Sequence, residues 1–278
     1  MKIAISAEST IDLPQELLDK YNISTIPFGI TFKDALTSDH FGIAEEIFEF
    51  VNETKVLPKT SAIPPEGYRE YFEELKGKYD AVIHICISSL MSSSYNNARL
   101  VAETMENVWA IDSANLSTGI ALVAIKASQM VKTKATPEEI VAEIESYKEK
   151  VRVSFVLDKL NYMYKGGRCS AVTLLGANIL KIKPQIVVTS GRMGVGKKYR
   201  GNLNKVIENY ANDVVAESAN ADKSIVFITH SSPMPECEKI IEERLKAAGF
   251  ETIYNTFAGG TVSSHCGPNC IGILFADK

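Results

Sequence analysis

Five serines stand where an apolar segment of the chain gives way to a segment of helical period. The apolar residues 81–87 predict a buried strand, and Ser88, Ser89, Ser92, Ser93 and Ser94 come directly after it. In open α/β sheets, ligands bind beyond the carboxyl ends of the strands, where the free amides of helix N-termini point at an anion. The segment therefore predicts an anion-binding site. Its alternative interpretation is that Ser92, Ser93 and Ser94 only cap the helix.

Three further segments offer polar groups that bind anions. Thr60 and Ser61 precede a proline-led helix, and His265 lies within the glycine-rich residues 259–270, which are predicted as a loop between two strands. Arg168 follows two glycines that indicate the end of a short helix, and its guanidinium suits a carboxylate or a phosphate. The alternatives are a turn at Thr60, a structural histidine and a surface charge.

The sequence does not match several motifs whose chemistry is established. Residues 191–197 have the glycine and lysine spacing of a phosphate loop, but position eight is Lys198 instead of Ser or Thr. Cys266 and Cys270 beside His265 lack the second ligand pair of a structural zinc site. The sequence contains neither the nucleophile elbow of hydrolases nor the dinucleotide fingerprint. No metal and no cofactor is predicted.

The elements that must position these groups alternate between strands and helices. Short β-branched runs separated by helical segments predict an α/β fold whose N-terminal part has a mainly parallel sheet. The alternation restarts after residue 150, so we expect two α/β domains, 1–150 and 151–278, with a helical section at about residues 160–180. The glycines of residues 191–194 predict a tight hairpin.

Composition narrows the class of protein. With 278 residues, 45% hydrophobic, 23% charged and a net charge of −4, the chain is typical of a globular protein, and its charge argues against nucleic-acid binding. The five cysteines lack the spacing of a disulfide framework, and no segment is a signal peptide or a spanning helix. We therefore expect a cytoplasmic protein.

Motifs spread along nearly the whole chain resemble those of the DegV family of bacterial lipid-binding proteins. The matching positions are Glu8, Ser9, Thr10, Asp12 and Leu13 for its opening signature; Thr60 and Ser61 for its Thr-Ser-Gln-Pro loop; Ser92, Ser94 and Tyr95 for its Ser-Gly-Thr-Tyr segment; Asp112, Ser113, Ser117 and Gly119; Gly166, Gly167 and Arg168 for Gly-Gly-Arg; and His265, Gly267 and Pro268 for His-x-Gly-Pro.

The resemblance implies a two-domain protein that holds one long-chain fatty acid, such as hexadecanoate, in a tunnel between its domains. It also implies a fatty acid kinase as partner, which converts the presented carboxylate into an acyl-phosphate for phospholipid metabolism. The implied carboxylate ligands are Thr60, Ser61, Ser92, Ser93, Ser94 and His265, and the implied contacts for the head group or the kinase are Arg168 and Arg200. We expect a monomer or weak dimer with transient membrane contact.

This chain departs from the family pattern at three places. Glu8 replaces an aspartate, Ala62 and Ile63 replace Gln-Pro, and Ser93 replaces a glycine. Because a buried carboxylate is costly without partners, we expect hydroxyls, helix-terminal amides and an imidazolium of His265 to bind it.

Two hypotheses from other classes compete with the carrier. In the first, the chain is an esterase in which a serine of residues 92–94 is the nucleophile and His265 its base. The sequence nominates no third group to orient the imidazole. In the second, the chain itself binds a nucleotide as a kinase does, which the failed phosphate loop disfavours.

Overall fold

The N-terminal half is built on the parallel sheet that the sequence predicted. The computed structural model describes residues 1–170 and 182–278. Four parallel strands are arranged in the order β2-β1-β6-β7. Their bounds are β1 Ile3–Glu8, β2 Ile23–Ile26, β6 Ala81–Cys86 and β7 Val108–Asp112. Every residue of β1 and β6 is buried, as expected for central strands that are covered on both faces.

Helices cover both faces of this sheet, and their ends follow local sequence signals. They are α1 Gln15–Tyr21, α3 Pro65–Lys76, α4 Ser94–Ala102, α5 Thr118–Lys132 and α6 Pro137–Tyr147. The predicted cap at Thr136 is confirmed: its hydroxyl accepts the Glu139 amide at 3.3 Å, and the Glu139 carboxylate accepts the Thr136 amide at 2.8 Å. Among the described residues, none of the helices has the length and apolar character required to cross a bilayer.

A six-stranded mixed sheet forms the C-terminal half, in the order β10-β9-β8-β13-β11-β12. Its strands are β8 Val151–Val156, β9 Lys183–Thr189, β10 Arg192–Tyr199, β11 Ala221–His230, β12 Thr252–Phe257 and β13 Ile271–Asp277, with helices α7 Asn161–Gly166, α8 Leu203–Glu217 and α9 Pro235–Ala247. The predicted hairpin joins β9 and β10 through Ser190 and Gly191, which both have positive φ. Helix α7 confirms the first part of the helical section predicted at residues 160–180, the chain leaves the helix at Gly167, and the part from residue 171 lies outside the described residues.

A small antiparallel sheet that the sequence analysis did not predict connects the two halves. Its strands, in the order β4-β3-β5, are β3 Gly29–Phe32, β4 Ala35–Ser38 and β5 Lys59–Ser61, and α2 Ile43–Thr54 packs beside it. Ile30, Ile43 and Ile47 of this unit form one apolar cluster with Tyr162 of α7. The largest core likewise contains residues of both halves, so the division into domains 1–150 and 151–278 remains a prediction.

The loop predicted at residues 259–270 contains a short helix, α10 Gly260–Cys266, so that prediction was wrong. The free amides at its start are bound by carboxylates of Asp12 and Asp39, which are remote in the sequence. A seven-residue helix is unstable by itself, and such distant partners leave no local signal.

Candidate functional site

A cavity of about 150 Å³ lies where the small sheet, the serine segment, α7, β10 and α10 meet. Its lining combines polar residues with apolar side chains: Thr60, Ser92, Ser93, Arg168, Thr261 and His265, with Phe28, Ala62, Ile87, Met91, Leu116, Met163, Met193, Val262 and Cys266. A cleft of about 460 Å³ elsewhere is larger, but it is lined by paired charges such as Arg152 with Asp277. The smaller cavity is the better candidate because two of its lining residues have buried polar atoms without a hydrogen-bond partner among the described residues.

Two of those atoms belong to α10. The hydroxyl of Thr261 and Nδ1 of His265 are buried without a hydrogen-bond partner among the described residues. Native proteins seldom leave buried polar groups unpaired, so these two residues of the cavity lining have hydrogen-bonding capacity to spare. Thr261 was not identified from the sequence, because its direction depends on the unpredicted helix α10.

His265 is neutral in the ligand-free protein. Its Nε2 lies 2.9 Å from the Thr60 hydroxyl, which joins α10 to strand β5. Burial, together with the positive charge of Arg168, lowers the pKa of His265 to about 4. The imidazolium expected from the sequence is therefore absent before an anion binds, because no negative charge lies close enough to offset the cost of burying the cation.

The two glycines before Arg168 have different roles. Gly167 ends α7 with φ of 69°, the left-handed conformation that favours glycine. Gly166 has no such backbone requirement, but a Cβ atom there would lie 2.5 Å from Nδ1 of His265. Only a residue without a side chain lets α7 approach the imidazole this closely. Arg168 then donates to the Gly166 carbonyl at 2.8 Å.

The three serines at the start of α4 separate into two groups. Ser92 and Ser93 line the cavity, and the Ser92 hydroxyl accepts the amide of Ser94 at 3.2 Å. The Ser93 side chain makes no capping bond. Ser94 is fully buried and pairs with the Tyr68 hydroxyl at 2.6 Å, away from the cavity. The capping interpretation thus describes Ser92, whereas Ser93 is available to a ligand.

Glu8 supports this serine segment from the sheet. Its carboxylate accepts the Tyr68 hydroxyl and the Ile87 amide, both at 2.6 Å. Burial raises the pKa of Glu8, and these hydrogen bonds act in the opposite direction. Since Tyr68 also binds Ser94, Glu8 connects the end of β6 to the start of α4. The sequence singled out Glu8 only as a departure from the family pattern.

Three implied site residues do not line the cavity. Thr60 of strand β5 and Ala62 just after the strand line the cavity, and Ser61 between them is exposed, as the alternation of an extended chain predicts. Arg200 is exposed just after β10, and Ser94 is enclosed with Tyr68. The implied ligand roles of Ser61, Ser94 and Arg200 remain predictions without a supporting contact.

Comparison with known proteins gives a consistent result. The sequence model of the DegV family, described as uncharacterised proteins, matches residues 2–278. The crystal structure of Bacillus subtilis DegV, titled a fatty acid binding protein, is 28% identical with a TM-score of 0.87, and 100% of both chains is covered. A DegV family protein of Thermus thermophilus, titled for fatty acid binding, is 24% identical with a TM-score of 0.92 over 100% of both chains. The Streptococcus pneumoniae fatty acid kinase (Fak) B3 protein, loaded with linoleic acid, is 20% identical with a TM-score of 0.85 over 100% of both chains.

Proposed function

Because the chain belongs to the DegV family, we propose that it binds one long-chain fatty acid in the cavity beside His265. The observation that carries this proposal is a cavity whose lining combines hydroxyls, Arg168 and His265 with apolar side chains, and in which Thr261 and His265 each have a buried polar atom without a partner among the described residues. An acid with a polar head and an apolar tail matches both parts of that lining. The Bacillus subtilis and Thermus thermophilus structures named above support the same ligand class.

The carboxylate binds at the polar end. Hydroxyls of Thr60, Ser92, Ser93 and Thr261 surround it, and the start of α4 contributes the positive end of the helix dipole. Hydroxyls can offset the cost of burying an anion without fixing it in a permanent ion pair. His265 takes up a proton when the carboxylate arrives, because a neighbouring negative charge favours the imidazolium.

The tail supplies most of the affinity. About fifteen methylenes contribute on the order of 12 kcal/mol at about 0.8 kcal/mol each, before ordering costs are subtracted. Met91, Met163 and Met193 line the cavity, and methionine side chains adapt readily to a flexible apolar partner. A second apolar space of about 30 Å³ shares Leu116 and Val262 with this lining. The tail widens the cavity by moving the methionines and extends toward that space.

The carrier presents its acid to a fatty acid kinase, which forms the acyl-phosphate, so the chain itself is not the catalyst. Acidic residues stop at Asp158 and resume at Glu208, and between them stand Lys159, Lys165, Arg168, Lys181, Lys183, Arg192, Lys197, Lys198, Arg200 and Lys205. Arg168 borders the polar end of the cavity and is exposed. Exposed cations there suit an anionic partner surface or the phosphates of a kinase-bound nucleotide. The Streptococcus pneumoniae protein supports this partner.

The remaining properties follow the carrier role. Cys86, Cys237, Cys266 and Cys270 are thiols, which suits the reducing cytoplasm. The protein works as a monomer or weak dimer and contacts the membrane surface only transiently.

The esterase hypothesis lacks a favouring contact. The nitrogen of His265 that a triad acid would orient, Nδ1, faces Gly166, and Nε2 pairs with Thr60 instead of a serine. A serine-directed fluorophosphonate distinguishes the two functions, since it labels an esterase and leaves a carrier unmodified.

Native mass spectrometry of the purified protein tests the carrier directly. We expect a bound endogenous acid of about 16 to 18 carbons, whose loss upon delipidation is reversed by added hexadecanoate. Thr60→Val should weaken hexadecanoate binding about fivefold, since a hydrogen bond contributes about 1 kcal/mol. Its matched control is Ser61→Ala, one residue along the same strand and directed outward. Absence of both an endogenous acid and hexadecanoate binding would contradict the proposal.

A further inference from the structure

The helix that carries His265 borders open space. Thr261, Val262 and His265 of α10 line the ligand cavity. A second cleft of about 430 Å³ reaches Gly259, the residue before α10. A seven-residue helix beside a cavity is fixed less by packing than a helix in a close-packed core. Specific polar contacts at its ends therefore help to hold its position.

Two carboxylates make those contacts at the start of α10. Asp12 Oδ1 accepts the amide of Gly259 at 2.8 Å. Asp39 accepts the next two amides, of Gly260 at 2.8 Å and of Thr261 at 3.1 Å. These amides have no partner within a helix, and a carboxylate at this end also suits the helix dipole. Burial raises the pKa of Asp12 to about 8, so near neutral pH Asp12 contributes a hydrogen-bond acceptor more than a charge. Both carboxylates come from elements more than two hundred residues earlier in the chain.

Each carboxylate is itself held in place by a serine. Ser9 donates to Asp39 at 3.0 Å, and its hydroxyl also accepts the Phe28 amide at 3.1 Å. Ser117 donates to Asp12 at 2.5 Å. Ser117 has φ of 54° and ψ of −142°, a backbone conformation that residues other than glycine rarely adopt. The surrounding contacts thus maintain local strain in order to keep this hydroxyl on Asp12.

The backbone of α10 approaches these anchors too closely for side chains at its first positions. A Cβ atom on Gly259 would lie 3.0 Å from Asp12 Oδ1, and one on Gly260 would lie 3.0 Å from Asp39 Oδ1 and would overlap Ile43. The two glycines therefore permit direct contact between carboxylate and amide. At the other end, Thr60 binds His265.

We propose that Asp39, together with Asp12, is a positioning residue for the ligand site: by binding the three amides at the start of α10, the two carboxylates fix where Thr261 and His265 meet the ligand carboxylate. The proposal rests on the fatty-acid site described above. Neither aspartate lines the ligand cavity, so both act through the helix.

Asp39→Asn tests the positioning role, because it preserves the size of the side chain and removes the carboxylate that accepts both amides. We expect hexadecanoate to bind about tenfold more weakly. The matched control is Thr136→Ala, which removes the cap of α6 and destabilises the protein without touching the cavity. If Asp39→Asn does not fold, Ser9→Ala, which removes one support of Asp39, replaces it.

A second measurement distinguishes positioning from general destabilisation and does not need the lipid. The chain has four histidines, so the titration of each ring can be followed by nuclear magnetic resonance. In Asp39→Asn we expect the pKa of His265 to rise from about 4 toward the ordinary value, because a loosened helix admits water to the ring. In Thr136→Ala it should stay unchanged.

The outcomes separate this inference from the proposed function. A raised His265 pKa in Asp39→Asn with no hexadecanoate binding by the wild-type protein would keep the positioning role and overturn the carrier. Wild-type binding together with an Asp39→Asn variant that matches Thr136→Ala in both affinity and His265 titration would overturn the positioning role.

Discussion

Two buried histidines of this chain have similar electrostatics and different surroundings. Burial lowers the pKa of His84 to about 3 and that of His265 to about 4, and each ring has one nitrogen without a hydrogen-bond partner among the described residues. His84 is enclosed by the rings of Tyr68, Tyr71 and Phe72, whose centroids lie 5.4, 6.0 and 5.3 Å from its own. His265 instead borders a cavity.

The difference shows that an unpaired, neutral imidazole does not define a binding site by itself. His84 pairs with the Ser6 hydroxyl at 2.8 Å in the middle of the parallel sheet, where its ring is fully buried. His265 pairs with Thr60 and lies beside other hydroxyls that face the same space. Convergence of polar groups on an accessible cavity distinguishes a functional histidine from a structural one.

The largest expected effect on ligand affinity comes from replacing His265, with a replacement of His84 for comparison. His265→Ala should weaken hexadecanoate binding about 10- to 100-fold, because a hydrogen bond to a charged group contributes about 1.5–3 kcal/mol. His84→Leu should change the affinity by less than about twofold, although it alters stability. Fluorescence displacement with both variants measures this. Equal losses of affinity in the two variants would remove the distinction.

A smaller effect is expected at Gly166. In Gly166→Ala the new methyl group would lie 2.5 Å from His265 Nδ1, so either α7 or the imidazole must move. Such overpacking typically costs about 1–3 kcal/mol, and we expect hexadecanoate affinity to fall with it. Gly194→Ala is the control, since a Cβ there would meet only Val187 at 3.9 Å. Unchanged binding by Gly166→Ala would show that the imidazole position is not critical.

The smallest effect concerns protons. Without ligand the pKa of His265 is about 4, and a bound carboxylate raises it, so the complex holds more protons than its separate components. Affinity should therefore rise as the pH falls toward 6. Calorimetry near pH 6 in two buffers of different ionisation enthalpy measures the proton uptake. His265→Gln should abolish the proton uptake, and His84→Leu should retain it. The reverse pattern would show that the proton binds to His84, which contradicts the prediction.

Local sequence signals predicted the parallel sheet and most helix starts. Buried runs such as residues 81–87 are apolar on both faces, and the cap at Thr136 acts within three residues. Helix α10 was missed because Asp12 and Asp39 stabilise its start from the far end of the chain. Its glycines, which favour a loop by propensity, are required for the close contact with those carboxylates.

The individual site residues also depend on tertiary structure that local sequence signals do not reveal. Composition identified hydroxyls at residues 60, 61 and 92–94, but it could not give their directions. Strand β5 has only three residues, so its alternation, which turns Thr60 inward and Ser61 outward, was not visible in the pattern. Ser94 is engaged by Tyr68 because α3 packs against α4, a contact that depends on tertiary structure.

The bond between Thr60 and His265 joins residues 205 positions apart. Domains fold as the ribosome releases them, N-terminal parts first. The hydroxyls of residues 60 and 92–94 therefore emerge long before their imidazole partner, and the pair forms only after residue 265 has been synthesised. Under the proposed function, the acid would bind this site after that point in synthesis.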